Sequence, residues 1–277
     1  MFKKIRSKYI TNLIFNYLQL NHRLKIIKYT KALQNILDIK KQDFKEYAQI
    51  IIEIIPVSDT SLLNEQKNIF LNYVENTDKK NYHIYFNNNL NVEINRNYFD
   101  KNENIVNIKI YLDYNITSLK GLFNACQTIE EINFIHFKRK NIINMESLFS
   151  CCKNLTNIKF DEFNAENVTD MNFMFYQCFL LKELDLTKFN TKNVTNMKRM
   201  FFECRNLKKI ILGNDFVVDK VNDMSYMFFR CYYLNDIDVS NFVFNSKIDM
   251  SFMFKECSKK LIKKIMQQNK NIKDEAF

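Results

Sequence analysis

Cysteine is the residue type whose spacing first suggests chemistry in this chain. Six cysteines recur at intervals of 26 or 27 residues: Cys126, Cys152, Cys178, Cys204, Cys231 and Cys257. A metal site or a disulfide framework would need C-x-x-C pairs or sulfurs in reach of each other, and no such pair occurs. Packed helices lie about 9–10 Å apart, farther than a disulfide tolerates. The column therefore favours free, buried thiols in a reducing compartment.

Histidine, the other common catalytic and metal-binding residue, occurs three times, as His22, His83 and His136. None shares a local motif with a carboxylate, a serine or a cysteine that would indicate a catalytic triad or a zinc site. A phosphate-binding glycine loop is excluded because the whole sequence has two glycines. We therefore expect a protein that is not an enzyme and that uses no metal and no cofactor.

The cysteine column belongs to a repeat of about 26 residues in which the other apolar positions keep step. Met171, Met174, Phe175 and Cys178 follow the i, i+3, i+4, i+7 spacing of one helix face. The residue before each such stretch is a preferred helix N-cap. This column contains Ser118, Asn144, Asp170, Asn196, Asp223 and Asp249. The first half of every unit is therefore predicted to be a short helix.

The second half of each unit has the spacing of a strand. Leu181, Leu184 and Leu186 follow an L-x-x-L-x-L pattern, which Phe189 completes. One unit of strand plus helix buries too little apolar surface to offset its conformational entropy, so the units must stack. The predicted fold class is α/β, with a parallel sheet on one side of the stack and helices on the other.

Two successive units carry a family resemblance. NVTDMNFMFYQCFLLKELDLTKFNTK (167–192) and NVTNMKRMFFECRNLKKIIL (193–212) resemble the BspA-type leucine-rich repeat, and the resemblance covers residues 116–257. It implies a right-handed leucine-rich-repeat solenoid that binds other macromolecules, commonly at cell surfaces. The sequence shows neither a signal peptide nor an uninterrupted apolar run long enough for a membrane span. A cytoplasmic location is therefore expected, and the cell surface is the alternative.

Four segments are predicted. They are a basic helical N-terminal segment (1–55), a linker with a strand-rich cap (56–115), the solenoid of about six units (116–257) and a C-terminal capping helix (258–277). Residues 9–37 resemble an F-box through Ile10, Ile14-Phe15, Tyr17-Leu18 and Leu24. That resemblance implies docking to a ubiquitin-ligase adaptor subunit; a plain helical cap is the alternative.

The positive charge of the chain is concentrated near its ends. Residues 1–50 contain 11 Lys/Arg and 3 Asp/Glu, whereas the full chain has a net charge of +10. A basic N-terminal segment could attract nucleic acid or an anionic membrane surface. No aromatic-basic motif accompanies these residues, which favours a solvated helix face instead.

The outward positions of the predicted strands form the candidate partner-binding face. They are Glu131, Asn133, Asn157, Lys159, Glu183, Asp185, Lys209, Asp236 and Asp238. We expect a non-enzymatic protein–protein interaction scaffold that binds a protein partner there, although the same residues would also suit ordinary solvated surface. The alternatives are an F-box-like substrate adaptor of a ubiquitin ligase and a surface adhesin of the BspA type.

Overall fold

The computed structural model describes residues 49–58 and 67–277. The F-box-like stretch 9–37, His22 and most of the predicted helical segment therefore lie outside the described residues. In order along the chain, the strands are β1 (Ile50–Pro56), β2 (Lys67–Ile69), β3 (Tyr82–Phe86), β4 (Tyr98–Asp100), β5 (Ile108–Leu112), β6 (Ile129–His136), β7 (Asn157–Phe160), β8 (Glu183–Leu186) and β9 (Lys209–Leu212). One α-helix, α1 (Lys259–Gln268), occurs within the described ranges.

The strands β3, β5, β1, β6 and β7 form, in that order, a five-stranded sheet. Its strands β6 and β7 belong to the repeats, and the other three come before them in the chain. Strand β1 lies antiparallel to both β5 and β6. Its residues Ile50, Ile52 and Ile54 are fully buried and alternate with half-buried ones, the period-two pattern of a strand. The first parallel strand of the repeats thus has a paired edge, which protects it from other chains. Residues 50–55, which the sequence pattern assigned to the helical segment, belong to this strand.

The repeats begin where β6 pairs with β7 in parallel. Ile132 lies opposite Ile158, and Phe134 lies opposite Phe160, so residues 26 positions apart become neighbours. Strands β8 and β9 pair in the same way, with Leu184 opposite Ile210. The strand half of the predicted unit is therefore present in these repeats.

The helix half of the unit is not present, and the predicted α/β leucine-rich-repeat solenoid is wrong. The stretches predicted as helices are successions of turns, which we call the turn segments: residues 118–126, 144–152, 170–178, 196–204, 223–231 and 249–257. Strands and turns make up most of the described chain, and its α-helix α1 lies after the last turn segment.

Hydrogen bonds show why a turn segment cannot be a helix. The N–H groups of Met174 and Cys178 donate to carbonyls three residues back, at 3.3 and 3.2 Å. The N–H groups of Phe173 and Phe175 instead donate to the next repeat, at 2.9 and 2.8 Å. A helix would keep all of its interior N–H groups within the segment. Half of these groups link neighbouring repeats, as in a sheet.

The alternation requires residues in the left-handed region of backbone space. Phe173 and Gln177 have φ values of 54° and 55°, and the equivalent residues of the other turn segments behave alike. Each is the third residue of a four-residue turn, the position of positive φ in type II turns. A non-glycine residue there costs about 1–2 kcal/mol. Hydrogen bonding to a neighbouring repeat offsets this cost, so the conformation depends on stacking.

The polar residue that begins each turn segment caps a turn and not the predicted helix. Asp170 accepts a hydrogen bond from the N–H of Asn172 at 2.9 Å, and Asn196 accepts one from Lys198 at 3.1 Å. This two-residue bond forms an Asx turn. A helix N-cap can accept the same bond, and the difference is that turns, not a helix, follow it here. Both structures favour the same residue types, so the column could not distinguish them.

The core lies between the turn segments and the strands, and a row of stacked phenyl rings runs through it. The rings of Phe175 and Phe201 lie 5.4 Å apart at an interplanar angle of 3°. The row consists of Phe123, Phe149, Phe175, Phe201, Phe228, Phe254 and Phe277. Members from Phe123 to Phe254 are at most 1% exposed. The helical interpretation was wrong, but its buried face was assigned correctly.

The C-terminal residues cover the last repeat. Ser258 caps α1 by accepting a hydrogen bond from the N–H of Leu261 at 3.2 Å, as expected of a helix start. The N–H groups of Phe252 and Phe254 donate to the carbonyls of Glu275 and Ala276, both at 2.7 Å. Helix α1 covers Lys259–Gln268 of the segment 258–277 that was predicted as a capping helix, and the residues after it accept hydrogen bonds from N–H groups of the last repeat.

Candidate interaction surfaces

The structure brings the sequence-predicted strand-face residues together in two rows. In the first row, Glu131 lies beside Asn157, and Lys209 lies beside both Glu183 and Asp236. The second row pairs Asn133 with Lys159 on the neighbouring strand, and its later members are Asp185 and Asp238. Seven of the nine residues lie in register beside another member of the set, whereas Asp185 lies beside Ile211. The exposed members are Lys159, Glu183, Asp185, Asp236 and Asp238.

Several strand-face side chains already interact with one another. The Asn157 amide donates to Glu131 at 3.3 Å, and the Lys209 ammonium lies 3.6 Å from a carboxylate oxygen of Asp236. Lys264 of α1 reaches the other oxygen of Asp236 at 3.5 Å. Exposed ion pairs of this kind contribute about 0–1 kcal/mol. This surface is therefore mixed in charge and partly self-paired.

The turn segments present a second surface, which the sequence reasoning missed. We call it the aromatic–arginine face, and it consists of Phe173, Tyr176, Arg199, Phe202, Tyr226, Phe229 and Phe252. Tyr176 and Phe202 stack with centroids 5.0 Å apart at 14°, and Phe202 and Phe229 stack 4.9 Å apart at 11°. All seven residues are half-buried or exposed. Seven side chains rich in aromatic surface thus meet solvent on one side of consecutive repeats.

Arg199 lies at the centre of this face. Its guanidinium carbon is 5.6 Å from the ring centroid of Phe173, 5.6 Å from that of Phe202 and 5.0 Å from that of Tyr226. Each distance falls within the range of a cation–π contact. Phe173 and Tyr226 occupy the equivalent position in the preceding and following repeats, so repeat stacking itself assembles this contact.

A charged cluster borders the aromatic–arginine face. Glu203 accepts hydrogen bonds from Gln177 at 3.0 Å, from Arg205 at 3.0 Å and from Arg230 at 2.9 Å. Burial by itself would raise the pKa of Glu203, but the hydrogen bonds from Arg230, Gln177 and Arg205 hold that pKa below its usual value. Arg230 also pairs with Glu256 at 3.0 Å. These bonds hold the side chains of Gln177, Arg205 and Arg230 around Glu203 at the edge of the aromatic–arginine face.

Further aromatic and large apolar side chains follow Cys178 and Cys231. Tyr232 and Tyr233 are 42% and 60% exposed, and Leu180 is 40% exposed. The Arg205 guanidinium lies 4.8 Å from the ring centroid of Phe179. Apolar and cationic groups thus extend beyond the turn segments, and the available contact surface is correspondingly larger.

Two histidines meet carboxylates that are distant in sequence. His83 lies 2.8 Å from Glu93 and 3.4 Å from Asp113, and His136 lies 2.8 Å from Glu162. Within residues 49–58 and 67–277, no group of three or more His, Cys, Asp or Glu residues is arranged to hold a metal ion. In the same ranges, no helix has the length and apolar character needed to cross a bilayer.

The cysteine column has the chemistry predicted for it. All seven cysteines are free, and Cys126, Cys152, Cys178, Cys204 and Cys231 are buried. The Cys178 thiol donates to the carbonyl of Phe149 at 3.1 Å, and the Cys204 thiol donates to that of Phe175 at 3.0 Å. These two thiols therefore connect their repeats to the preceding ones.

The aromatic–arginine face had a signal in the sequence that the helical interpretation concealed. Phe173, Tyr176 and Phe202 lie next to the buried columns, where a short helix would also place partly exposed residues. In the turn segments, every second residue is instead held beside its counterpart in the next repeat. Aligning the outward columns repeat by repeat would have shown the aromatic clustering.

The repeats also define what the chain is similar to. Neither the comparison with curated proteins nor that with solved structures gave a significant match. A family model described as "Mycoplasma protein of unknown function, DUF285" matches residues 117–211 and again residues 178–274. The two matches overlap and together cover the turn segments, the four repeat strands β6 to β9 and α1. Because they span more than half of the chain, the protein belongs to the DUF285 family.

Proposed function

We propose that the protein is a non-enzymatic scaffold that binds another protein through the aromatic–arginine face. The observation that carries this proposal is the cluster of solvent-facing Phe, Tyr and Arg side chains on adjacent repeats. Aromatic residues and arginine are enriched where protein interfaces concentrate their binding energy. Large side chains held by stacking also lose little conformational entropy on binding.

The strand face is the weaker candidate for the same function. Its residues are short or flexible polar groups, and Lys209 and Asp236 already pair with each other. Charged residues at an interface rim contribute mainly to association rate and specificity. The aromatic–arginine face offers apolar contact area as well as charge, so it suits the centre of an interface.

The free thiols support a location in a reducing compartment. Five buried cysteines donate hydrogen bonds or pack within one continuous core, and none forms a disulfide. Such an array suits the cytosol, where thiols remain reduced. Fractionation of the native cells, with detection by an antibody, tests this part of the proposal; recovery of the protein by protease shaving of intact cells would contradict it.

Site-specific photo-crosslinking in the native cells tests which face binds. A photoreactive phenylalanine analogue replaces Phe229 in one variant and Lys159, on the strand face, in a matched variant. We expect a discrete crosslinked protein from the Phe229 position, and excess unlabelled wild-type protein should compete it away. A product from the Lys159 position alone would assign binding to the strand face. No product from either position would contradict the proposed function.

A further inference from the structure

Arg199 differs from three other arginines in having no counter-ion within the described part of the chain. Arg96, Arg205 and Arg230 each contact at least one carboxylate. Among the described residues, the Arg199 guanidinium has no ion pair and no hydrogen bond, and its Nε is buried without a partner. A half-buried cation without an acceptor loses hydration and gains only its contacts with the rings. The unpaired guanidinium therefore destabilises the free protein, and a partner that supplies an acceptor would remove this cost.

We infer, building on the proposed function, that Arg199 binds a side-chain carboxylate of the partner, and that the partner segment is an acidic peptide with flanking apolar residues. The guanidinium is a planar fork of donors that matches the two oxygens of a carboxylate. Phe173, Phe202 and Tyr226 hold the fork from three sides. It is therefore oriented before the partner arrives, which lowers the entropy cost of binding.

The charges around Arg199 favour an acidic partner. Two acidic groups of the same turn segments are already engaged, because Glu203 pairs with Arg205 and Arg230, and Asp223 pairs with Lys198 at 3.2 Å. Lys255 lies 4.5 Å from the ring centroid of Phe252 at the end of the same face. Arg199 and Lys255 thus present two positive charges without carboxylate partners within the described residues. An acidic segment would complement both.

The backbone of the turn segments leaves recognition to the side chains. The N–H groups of Phe173 and Arg199 donate to the next repeat, and those of Tyr176 and Phe202 donate within their own turns. A partner therefore cannot add a strand through these donors, as it would at an open sheet edge. The guanidinium fork and the ring edges remain as the recognition elements.

Ring geometry favours a peptide over single-stranded nucleic acid. Nucleobases bind such proteins by stacking on an open aromatic face. The faces of Tyr176, Phe202 and Phe229 cover one another, since their centroids are 5.0 and 4.9 Å apart with nearly parallel planes. Mainly ring edges meet solvent along this row, and edges suit aliphatic or aromatic side chains. The charge and the ring edges together fit an acidic, apolar peptide.

Selection from a displayed library of random 12-residue peptides tests the inference on the full chain. We expect the selected peptides to be enriched in Asp or Glu next to apolar residues. A fluorescent copy of the best peptide and its amide analogue, with the acid changed to Asn or Gln, are then titrated. The amide should bind wild-type protein about tenfold or more weakly, as expected for a close charge pair. On Arg199→Gln the two peptides should differ by less than about twofold.

Matched variants separate this inference from the proposed function. Arg199→Lys keeps the charge but loses the fork, so the acidic peptide should bind between wild-type and Arg199→Gln levels. Phe202→Ala removes apolar contact area and one of the rings beside the guanidinium, so it should weaken both peptides, the acidic one at least as much as the amide. Asp185→Lys on the strand face should weaken neither. Circular dichroism confirms that each variant is folded. If peptide binding depends on Phe202 but shows no preference for the acid over the amide, the role inferred for Arg199 is wrong and the proposed scaffold function still holds.

Two other outcomes would also overturn the inference. Failure to select any peptide that depends on the face would contradict both the inference and the proposed function. A separate titration uses a fluorescent 12-nucleotide oligouridylate as the probe for nucleic-acid binding. Tighter binding of this probe than of the selected peptides, with loss on Arg199→Gln, would identify nucleic acid as the ligand and exclude the acidic peptide.

Discussion

The ring of Phe277 stacks on that of Phe254, with centroids 5.9 Å apart at an interplanar angle of 19°. It occupies the place that the phenylalanine of a further repeat would take. The backbone beside it accepts the hydrogen bonds of Phe252 and Phe254. The last repeat is thus covered by both the apolar and the polar contacts that every earlier repeat receives from its successor.

Replacing Phe175 by Ala should lower the free energy of unfolding by about 3–5 kcal/mol, because burial is lost and a cavity remains. Phe175 is fully buried and stacks on rings on both sides. Urea denaturation measures the effect, and Lys182→Ala at an exposed position is the control, with an expected change below about 0.5 kcal/mol. Equal stability of the two variants would contradict the assigned core.

Gly213→Ala should also destabilise the protein, for a backbone reason. A Cβ at this position would lie 2.9 Å from Thr187 Cα and closer still to the Thr187 carbonyl oxygen, and backbone atoms cannot rotate away. The expected loss is about 1–3 kcal/mol, the usual cost of overpacking. Asn214→Ala, in the same loop but exposed, should change thermal stability little. A neutral Gly213→Ala would mean that the loop moves freely away from the preceding repeat.

Alkylation should distinguish Cys151 from the other six cysteines. Burial raises the pKa of Cys204 to about 12, and that of Cys257 to about 12. At pH 8 only about 10⁻⁴ of such a thiol is the reactive thiolate. Cys151 is half-buried at the surface. Mass spectrometry after brief iodoacetamide treatment should show one adduct in native protein, none in Cys151→Ser, and six in unfolded Cys151→Ser.

Glu203 should make stability depend on acid pH. Its pKa is lowered in the folded protein relative to the usual 4.5, so its contribution is present above that value. The contribution is lost as the pH falls through the folded pKa. Glu203→Gln should cost about 1–3 kcal/mol at pH 6, from weakened charged hydrogen bonds, and less at pH 3. Urea titrations at both pH values check this, with exposed Glu183→Gln as control; a pH-independent difference would contradict it.

Periodicity in the sequence was sufficient to place the core but not to assign the backbone. Met171, Met174, Phe175 and Cys178 are buried as predicted, because a row of turns and a helix both return every third or fourth residue to the same side. A row of turns differs from a helix in the acceptors of alternate backbone N–H groups, such as that of Phe173, which donates to the next repeat. Because the acceptor lies in another repeat, the local sequence pattern does not predict this hydrogen bond.

The surfaces were predictable to different extents. The strand-face rows followed from alternation along Glu183–Leu186, which a single strand reveals. The surroundings of Arg199 depend on Phe173 and Tyr226, 26 and 27 residues away. The strand at Ile50–Pro56 was assigned to a helix because its run of isoleucines suits either structure until its partners are known.

Every second residue of a turn segment donates its N–H group to the next repeat, and this pattern also affects how such a protein can evolve. The turn segments meet their neighbours through equivalent hydrogen bonds. Elements specific to one end include the antiparallel strand Ile50–Pro56 at the start and α1 with Phe277 after the last turn segment. Gene duplication of one complete 26-residue unit would create one more interface of an existing kind. It would also add one more outward column to the aromatic surface. In this architecture, the length of the proposed binding surface depends on the number of repeats, which duplication or loss of a unit changes by one.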